Sequence, residues 1–448
     1  MLNRSLYIMS SKLLGYGVRL VLPYFLVRLM TVADFGAYRQ FFLLEVYIAS
    51  LFQLGLNQAL YYFIPRDERN AGAYFLNSVL MNVVVFTTAF AAIGAFAGPL
   101  SRWLNMAILA DAFWLLAVHT VLLMLTSACD CYLTSRQRIR SSAVFEIGGQ
   151  VIVSLATVAA AYATRRLDVV LLALVAARGV QLAAMLAYIH HRMHGFAAER
   201  YFFGLREQIR YGVTLGVAGT LSMMLARLGD FFVSRYYGTE VYAVYSVGCT
   251  EIPVIQIFTQ SLAMVALSQF AALELQHDRE GIRRLWRKIL TSTYAVALPT
   301  IAFLLLVAKP LIVFMFTGTY ADAVPIFQIN TLLKLHLLFN ATLVLRAMDR
   351  NGVSIWVNAA TLLAAPFLLY AGMALGGLIG IIAAQAVLMV ASRLAPMFVV
   401  NRITDLRLPY VVGVGELVGF YRDAWTKARH VVRSRLDAAA ASSGRGGR

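Results

Sequence analysis

Long runs of apolar residues, separated by short polar stretches rich in arginine, dominate the chain. A helix that crosses a bilayer needs about 20 mostly apolar residues, because in lipid only an intact helix satisfies its own backbone hydrogen bonds. Runs of that kind lie at 6–30, 38–63, 74–100, 107–133, 143–163 and 168–189. After a polar stretch at 190–209 come 210–234, 241–268, 288–308, 323–345, 353–373 and 376–398. The pattern predicts an all-α polytopic membrane protein with about twelve transmembrane helices. The run 409–420 is short and carries Glu416, which places it outside the membrane. The first run carries Lys12, Arg19 and Arg28 without a small-residue cleavage site, so it is expected to remain as the first span.

The loops test this count. On one side they hold Arg66 and Arg69, then Arg136, Arg138 and Arg140, then Arg192, Arg200, Arg206 and Arg210. The same side continues with Arg279, Arg283, Arg284, Arg287 and Lys288, and ends with Arg346 and Arg350. The other side holds only Arg102, Arg165, Arg166, Arg235 and Lys309. Cytoplasmic loops concentrate Lys and Arg, so both termini are expected in the cytoplasm. The expected organisation is an N-terminal six-helix lobe at 1–189, a cytoplasmic linker at 190–209, a C-terminal six-helix lobe at 210–400 and a cytoplasmic tail at 401–448. Within the tail, Leu417, Tyr421, Trp425, Ala428 and Val432 recur at helical spacing while Arg422, Arg429 and Arg433 face away. This predicts an amphipathic helix on the inner leaflet among membrane lipids, followed by a disordered end from Ala438 to Arg448.

Composition agrees with this reading. Of 448 residues, 60% are apolar and 14% charged, and the mean hydropathy is +0.72. A soluble domain carries about a quarter of its residues charged, so most of this surface faces something other than water. The formal net charge of +17 follows from the cytoplasmic loops and does not call for nucleic acid. Cys129, Cys131 and Cys249 lie in apolar stretches without zinc or redox spacing and read as small core residues. His190 and His194 have i, i+4 spacing that zinc could use, but a polar helix end at the headgroups is the favoured reading. No metal or other cofactor is expected.

Two segments resemble each other. Residues 26–45 and 232–252 each leave a helix, cross a short acidic external loop and re-enter through a small-residue–aromatic motif. The motifs are Phe35-Gly36-Ala37-Tyr38 and Tyr242-Ala243-Val244-Tyr245, each followed by an acid, Glu45 or Glu251. They occupy equivalent places in a parallel six-plus-six repeat, as in many transporters. The stretch Leu26-Val27-Arg28-Leu29-Met30, with Asp34-Phe35-Gly36-Ala37-Tyr38, is similar to the opening of the polysaccharide transporter (Wzx-like lipid-linked oligosaccharide flippase) family. That family lies in the multidrug/oligosaccharidyl-lipid/polysaccharide exporter superfamily. Leu54-Gly55-Leu56 with Ala59-Leu60, Asp230 with Gly238 and Val244-Tyr245-Ser246, Pro310-Leu311-Ile312 with Phe316, Tyr320 and Ala323-Val324-Pro325, and Gly376-Gly377 with Gly380 continue the likeness over residues 5–400. The resemblance implies two six-helix bundles in a V around a central cavity, alternating between inward and outward openings. It also implies a cargo, an undecaprenyl-diphosphate-linked oligosaccharide, with membrane lipids, a polysaccharide polymerase and glycosyltransferases as partners. Twelve spans, against the usual fourteen of peptidoglycan-precursor flippases, favour the O-antigen, capsule or exopolysaccharide branch.

A charge at the bilayer centre costs ~2.5–3.5 kcal/mol on insertion scales, so each one needs a reason. Arg19, Arg178 and Lys334 fall near the midpoints of their spans, and together with Arg28 and Arg39 they are candidates to line a cavity for a diphosphate headgroup. Glu45, Asp230 and Glu251 lie deeper than the loops and are candidates for proton coupling. Structural alternatives stand beside these. Arg227 and Asp230 are spaced to pair on one helix, Arg28 and Arg39 can snorkel at the external interface, and Lys12 can reach inner headgroups. Gly15, Gly17 and Pro23 would allow the first helix to bend. His119 and His336 read as core histidines rather than relays. The rival functions are a multidrug or cation antiporter, whose cavity should be net acidic, and a membrane glycosyltransferase or polymerase. The enzyme would need catalytic groups on substantial loops, and the external loops are short.

Overall fold

The computed structural model describes residues 17, 20–53, 55–193, 202–339, 341–348, 350–404, 406–423, 425, 426 and 429, and among them the only regular structure is helical. The principal helices are α1 (Leu20–Leu29), α2 (Val32–Gln53), α3 (Ala71–Ala95), α4 (Phe113–Ser135), α5 (Ile139–Thr164) and α6 (Leu167–Met193). They continue as α7 (Leu205–Gly248), α8 (Val254–Leu275), α9 (Arg279–Leu306), α10 (Ala323–Leu333) and α11 (Asn351–Thr404). Seven helices among the described residues are long and apolar enough to cross a membrane. The chain is therefore an all-α polytopic membrane protein.

Each of the twelve apolar runs is helical over its described part, but several are not the single unbroken helices that their hydropathy implies. The second run pauses in turns at 55–59, the eighth is irregular at 249–253, and the tenth passes through a 3-10 turn at Lys334–Leu338. Hydropathy alone misses these breaks because apolar residues continue through them. Conversely, α7 runs on past Gly238 (φ 79°) and α11 past Gly376 and Gly377. Gly377 has φ 57°, a conformation that costs most L-residues about 1–2 kcal/mol. Across that turn Gly372 and Gly380 meet so closely that a Cβ on Gly380 would lie 1.9 Å from the Gly372 carbonyl oxygen.

Two compact units form. The first comprises Met1–Glu251, Val307–Asn330 and Asn358–Met389, and the second Ile252–Leu306, Thr331–Val357 and Val390–Arg448. The eighth to twelfth runs each contribute to both, the ninth by its last two residues only.

In the first unit, α5 pairs with α6, α4 packs on α3 and α6, and α2 runs along α7. A core of Leu60, Phe75, Tyr132, Met185 and Ile189 includes the buried Cys129 and Cys131. Helix α2 starts abruptly. The Asp34 amide donates to Thr31 Oγ1 at 3.1 Å and the Thr31 hydroxyl donates to Asp34 Oδ2 at 2.7 Å, a reciprocal N-cap. The acidic loop expected at Asp34 is thus the first turn of α2. The re-entry points of the two similar segments touch: a Cβ on Gly36 would lie 2.3 Å from the Thr239 carbonyl oxygen.

In the second unit, α8 and α9 form a hairpin whose α9 end is capped by Asp278, which accepts the Gly281 amide at 2.7 Å. Arg279, Arg283 and Trp286 of α9 donate to the carbonyls of Thr404, Leu406 and Pro409, tying down the chain that leaves α11. The tail continues along the same helix. Arg287 pairs with Glu416, and the Tyr421 hydroxyl donates to the Ala295 carbonyl at 2.5 Å. Tyr421, expected on a lipid-facing stripe, ties the tail to α9 through its hydroxyl while the residue, like Trp425, stays exposed. Ala428, Val432, Arg433 and the stretch from Ala438 to Arg448 lie outside the described residues.

Candidate functional site

A polar seam runs through the apolar first unit where α2 lies antiparallel to the first half of α7. Buried Gln40 donates to Ser234 Oγ at 2.8 Å and accepts from Thr239 Oγ1 at 3.4 Å. The Tyr47 ring packs on Phe231 with centroids 5.4 Å apart, and at the far end Thr220 donates to the Ser50 carbonyl at 2.7 Å. Arg39 reaches across to the C-terminal part of α7, donating through Nε to Ser246 Oγ at 3.1 Å and through Nη2 to the Ser246 carbonyl at 3.0 Å. Arg227 and Asp230 pair at 3.8 Å on successive turns of α7, and Asp230 is 8% exposed. Asp230 also lies within electrostatic reach of Arg39 and Glu251. Glu251 itself sits in the irregular break after α7 and is exposed.

On the other side of α2, Glu45 contacts the imidazole of His119 from α4, and the residues are only 3% and 1% exposed. Phe41 and Phe42 close over the imidazole at centroid distances of 5.8 and 6.0 Å. His119 Nε2 is buried and takes no hydrogen bond among the described residues. Arg178 of α6 donates to Gln181 Oε1 at 2.6 Å, and Gln181 donates onward to the Phe145 carbonyl at 3.0 Å. Both Arg178 and Glu45 lie within electrostatic reach of Tyr38 on α2.

The structure therefore brings Arg39, Glu45, Arg178 and Asp230 into one unit around α2. Arg28 has a different setting: its guanidinium donates to the carbonyls of Phe314 and Met315 at 2.7 and 3.0 Å and lies over the Tyr24 ring. It thereby caps the C-terminal end of the helix Ala308–Phe316. Lys334 belongs to the second unit, half-buried at the start of its 3-10 turn, where the His336 ring bonds the Leu333 carbonyl. Arg19, Lys12, Gly15 and His194 lie outside the described residues.

Sequence reasoning did not anticipate a cavity of about 530 Å³ at the end of the seam, lined by Gln53, Gln58, Tyr62, Arg66, Asp130 and Tyr211 among others. It exists because the second run breaks. Gly55, at φ 68°, turns the chain back onto α7, where a Cβ would lie 2.5 Å from the Gly212 carbonyl oxygen and 2.9 Å from the Gly216 nitrogen. Asn57 holds the turn from inside, donating to the Met124 carbonyl at 3.0 Å and accepting from Asn82 at 2.7 Å. The signals were Gly55 beside a Gly212/Gly216 pair one helical turn apart, too sparse to locate a pocket without the fold.

Comparison with known proteins places the chain. No curated protein matches it in sequence. Among solved structures it is similar to an inward-facing multidrug resistance MATE family transporter of the MOP superfamily, with TM-score 0.66, 14% identity and coverage of 87% of this chain and 94% of that one. It is similar to the lipid II flippase MurJ in an inward closed conformation, with TM-score 0.64, 13% identity and coverage of 93% and 89%. A MOP superfamily transporter from Pyrococcus furiosus, described by a reversed polarity of its binding pocket, aligns with TM-score 0.62, 15% identity and coverage of 90% and 95%. At these identities the likeness is one of fold. A sequence profile described as polysaccharide biosynthesis protein matches residues 25–325, about two thirds of the chain. The protein belongs to this polysaccharide biosynthesis family.

Proposed function

We propose that the protein is a flippase that moves an undecaprenyl-diphosphate-linked oligosaccharide, a precursor of O-antigen, capsule or exopolysaccharide, from the cytoplasmic to the periplasmic leaflet by alternating access. The observation that carries this reading is the charge gathered on both sides of α2 inside an apolar unit, Arg39, Arg227 and Asp230 along the seam and Glu45 and Arg178 across from it. Intramembrane charge is costly and marks a path for polar cargo. Cations suit a diphosphate, because guanidinium matches phosphate oxygens. Family membership supports a role in polysaccharide synthesis. The likeness to a lipid II flippase supports a lipid-linked cargo. The excess of Lys and Arg on one set of loops supports cytoplasmic termini, and a cargo of this kind belongs to a bacterial inner membrane. Supply and use of such a cargo name the partners, glycosyltransferases before transport and a polymerase after it.

The reading is tested in proteoliposomes holding the purified chain and an undecaprenyl-diphosphate-linked trisaccharide in both leaflets, with an impermeant glycosidase outside. Transport exposes the whole glycolipid pool to the enzyme, whereas cleavage confined to the outer leaflet rejects it. Efflux of a cationic dye by vesicles that leave the glycolipid in place would instead establish a multidrug antiporter.

A further inference from the structure

We infer that the pocket beside the break in the second run binds the glycosyl-diphosphate junction of the cargo, taking up its first pyranose. This rests on the flippase reading and adds to it a named recognition site outside the charged seam. The pocket lies where the C-terminal ends of the second run and α4 meet the N-terminal end of α7, with Arg66 in its lining. By the distribution of loop cations that end is cytoplasmic, the side on which the cargo is assembled.

The chemistry of the lining is that of a sugar site. A pyranose has a face of C–H groups and a rim of hydroxyls. The Tyr61 and Tyr211 rings supply flat apolar surface for the first. Gln53, Gln58 and Asp130 supply amide and carboxylate groups that can bond vicinal hydroxyls. These groups are held in place. Tyr62 stacks on Tyr211 with centroids 4.4 Å apart, and the Arg66 guanidinium lies 3.7 Å over the Tyr62 ring. Two groups so close to one ring must cover opposite faces, so Arg66, Tyr62 and Tyr211 form a three-layer wall. Asp130 accepts from the Ser142 hydroxyl through one oxygen, and among the described residues its other oxygen takes no hydrogen bond. Arg66 gives one N–H to the Tyr62 carbonyl at 2.9 Å. A guanidinium has about five N–H donors, so most remain for a phosphate. With about 530 Å³, the pocket has room for a hexose and the adjoining phosphate.

Farnesyl-diphosphate-linked glucose, galactose and N-acetylglucosamine serve as short-chain probes, with farnesyl diphosphate as the sugarless control, and binding to the full chain in nanodiscs is measured. At least one sugar-bearing probe is expected to bind the wild type more tightly than the control. Gln58→Ala and Asp130→Asn each remove one sugar contact and should weaken that probe about tenfold while leaving the control unchanged. Arg66→Gln should weaken both. Gln58 and Arg66 are exposed, so their replacement leaves the fold intact. Equal binding of all probes to the wild type, or variants that bind as the wild type does, overturns the site. Flipping of the same probes by the wild type is measured in parallel. Flipping without pocket dependence rejects this site alone, and absence of both binding and flipping rejects the site together with the flippase reading.

Discussion

The Tyr421 hydroxyl donates to the Ala295 carbonyl, the group that Pro299, four residues on, leaves without its helical partner. Proline inside a helix removes one N–H and orphans one carbonyl, and that carbonyl is costly when it stays unpaired. The tail is therefore part of α9's hydrogen bonding. Tyr421→Phe keeps the ring and removes only the donor, and it should lower stability by about 1 kcal/mol. The check is the thermal unfolding midpoint of the purified chain in detergent. A midpoint equal to that of the wild type would show that the carbonyl finds another partner.

The contact between Gly36 and Thr239 tests whether the two similar segments form one packed unit. Adding a methyl to Gly36 would press it against the Thr239 backbone, which cannot rotate away as a side chain can. Gly36→Ala should destabilise the chain by about 1–3 kcal/mol, the usual cost of overpacking, and Gly36→Val by more. Thr239→Ala removes the neighbouring side-chain methyl and should leave Gly36→Ala just as harmful, because the clash is with the carbonyl. Rescue by Thr239→Ala would place the contact on the side chain instead.

Glu45 and His119 lie 74 positions apart in sequence and touch across two helices in the buried heart of the first unit. A carboxyl paired with an imidazole can hold or release a proton without a bare charge in lipid. Phe41 and Phe42 pack on the imidazole, and Tyr38 of α2 lies within electrostatic reach of Glu45 as well as of Arg39 and Arg178. If the pair couples transport to the proton gradient, Glu45→Gln should abolish the response of flipping to an imposed ΔpH while leaving movement down a glycolipid gradient. His119→Gln should do the same. Flipping by the wild type that ignores both ΔpH and membrane potential would remove the coupling role from Glu45.

Much of the architecture was legible before the fold was known. Length and apolarity locate the helices, because lipid permits little else to cross it. The i, i+3 spacing announced the Arg227–Asp230 pair, which forms. The glycines at 376, 377 and 380 stood in the sequence only as part of the family likeness, and the fold shows them to form a tight turn and a close backbone approach. What stayed hidden depends on helix rotation or on backbone breaks. Glu45 reads as a lone acid until α4 brings His119 to it, and nothing in local spacing fixes that rotation. The break after Gln53 is masked by Leu54, Leu56, Ala59 and Leu60, whose apolarity matches a continuous helix. Only Gly55 and Asn57 differ, and their meaning rests on α7 and α3 lying alongside. Arg28 stood in the sequence both as a cavity candidate and as a cation able to snorkel at the external interface, and neither reading disclosed that its donors go to a helix end 286 residues away.

At the break after Gln53, backbone strain and close helix packing fall on one residue. Gly55 combines positive φ with backbone contact to Gly212 and Gly216, so Gly55→Ala adds both strain and a clash. The left-handed conformation alone costs about 1–2 kcal/mol for alanine. If the break only joined two helix segments, straightening it would preserve transport in whatever protein folds. If it builds the recognition pocket, Gly55→Ala should lose flipping of the sugar-bearing probes even in the fraction that purifies folded, as judged by size exclusion and helical circular dichroism. Gly216→Ala on the opposing helix, whose Cα lies 3.2 Å from where a Gly55 Cβ would sit, should give the same loss without touching the φ-restricted position. Normal flipping by both folded variants would show that the shape of this turn is irrelevant to cargo.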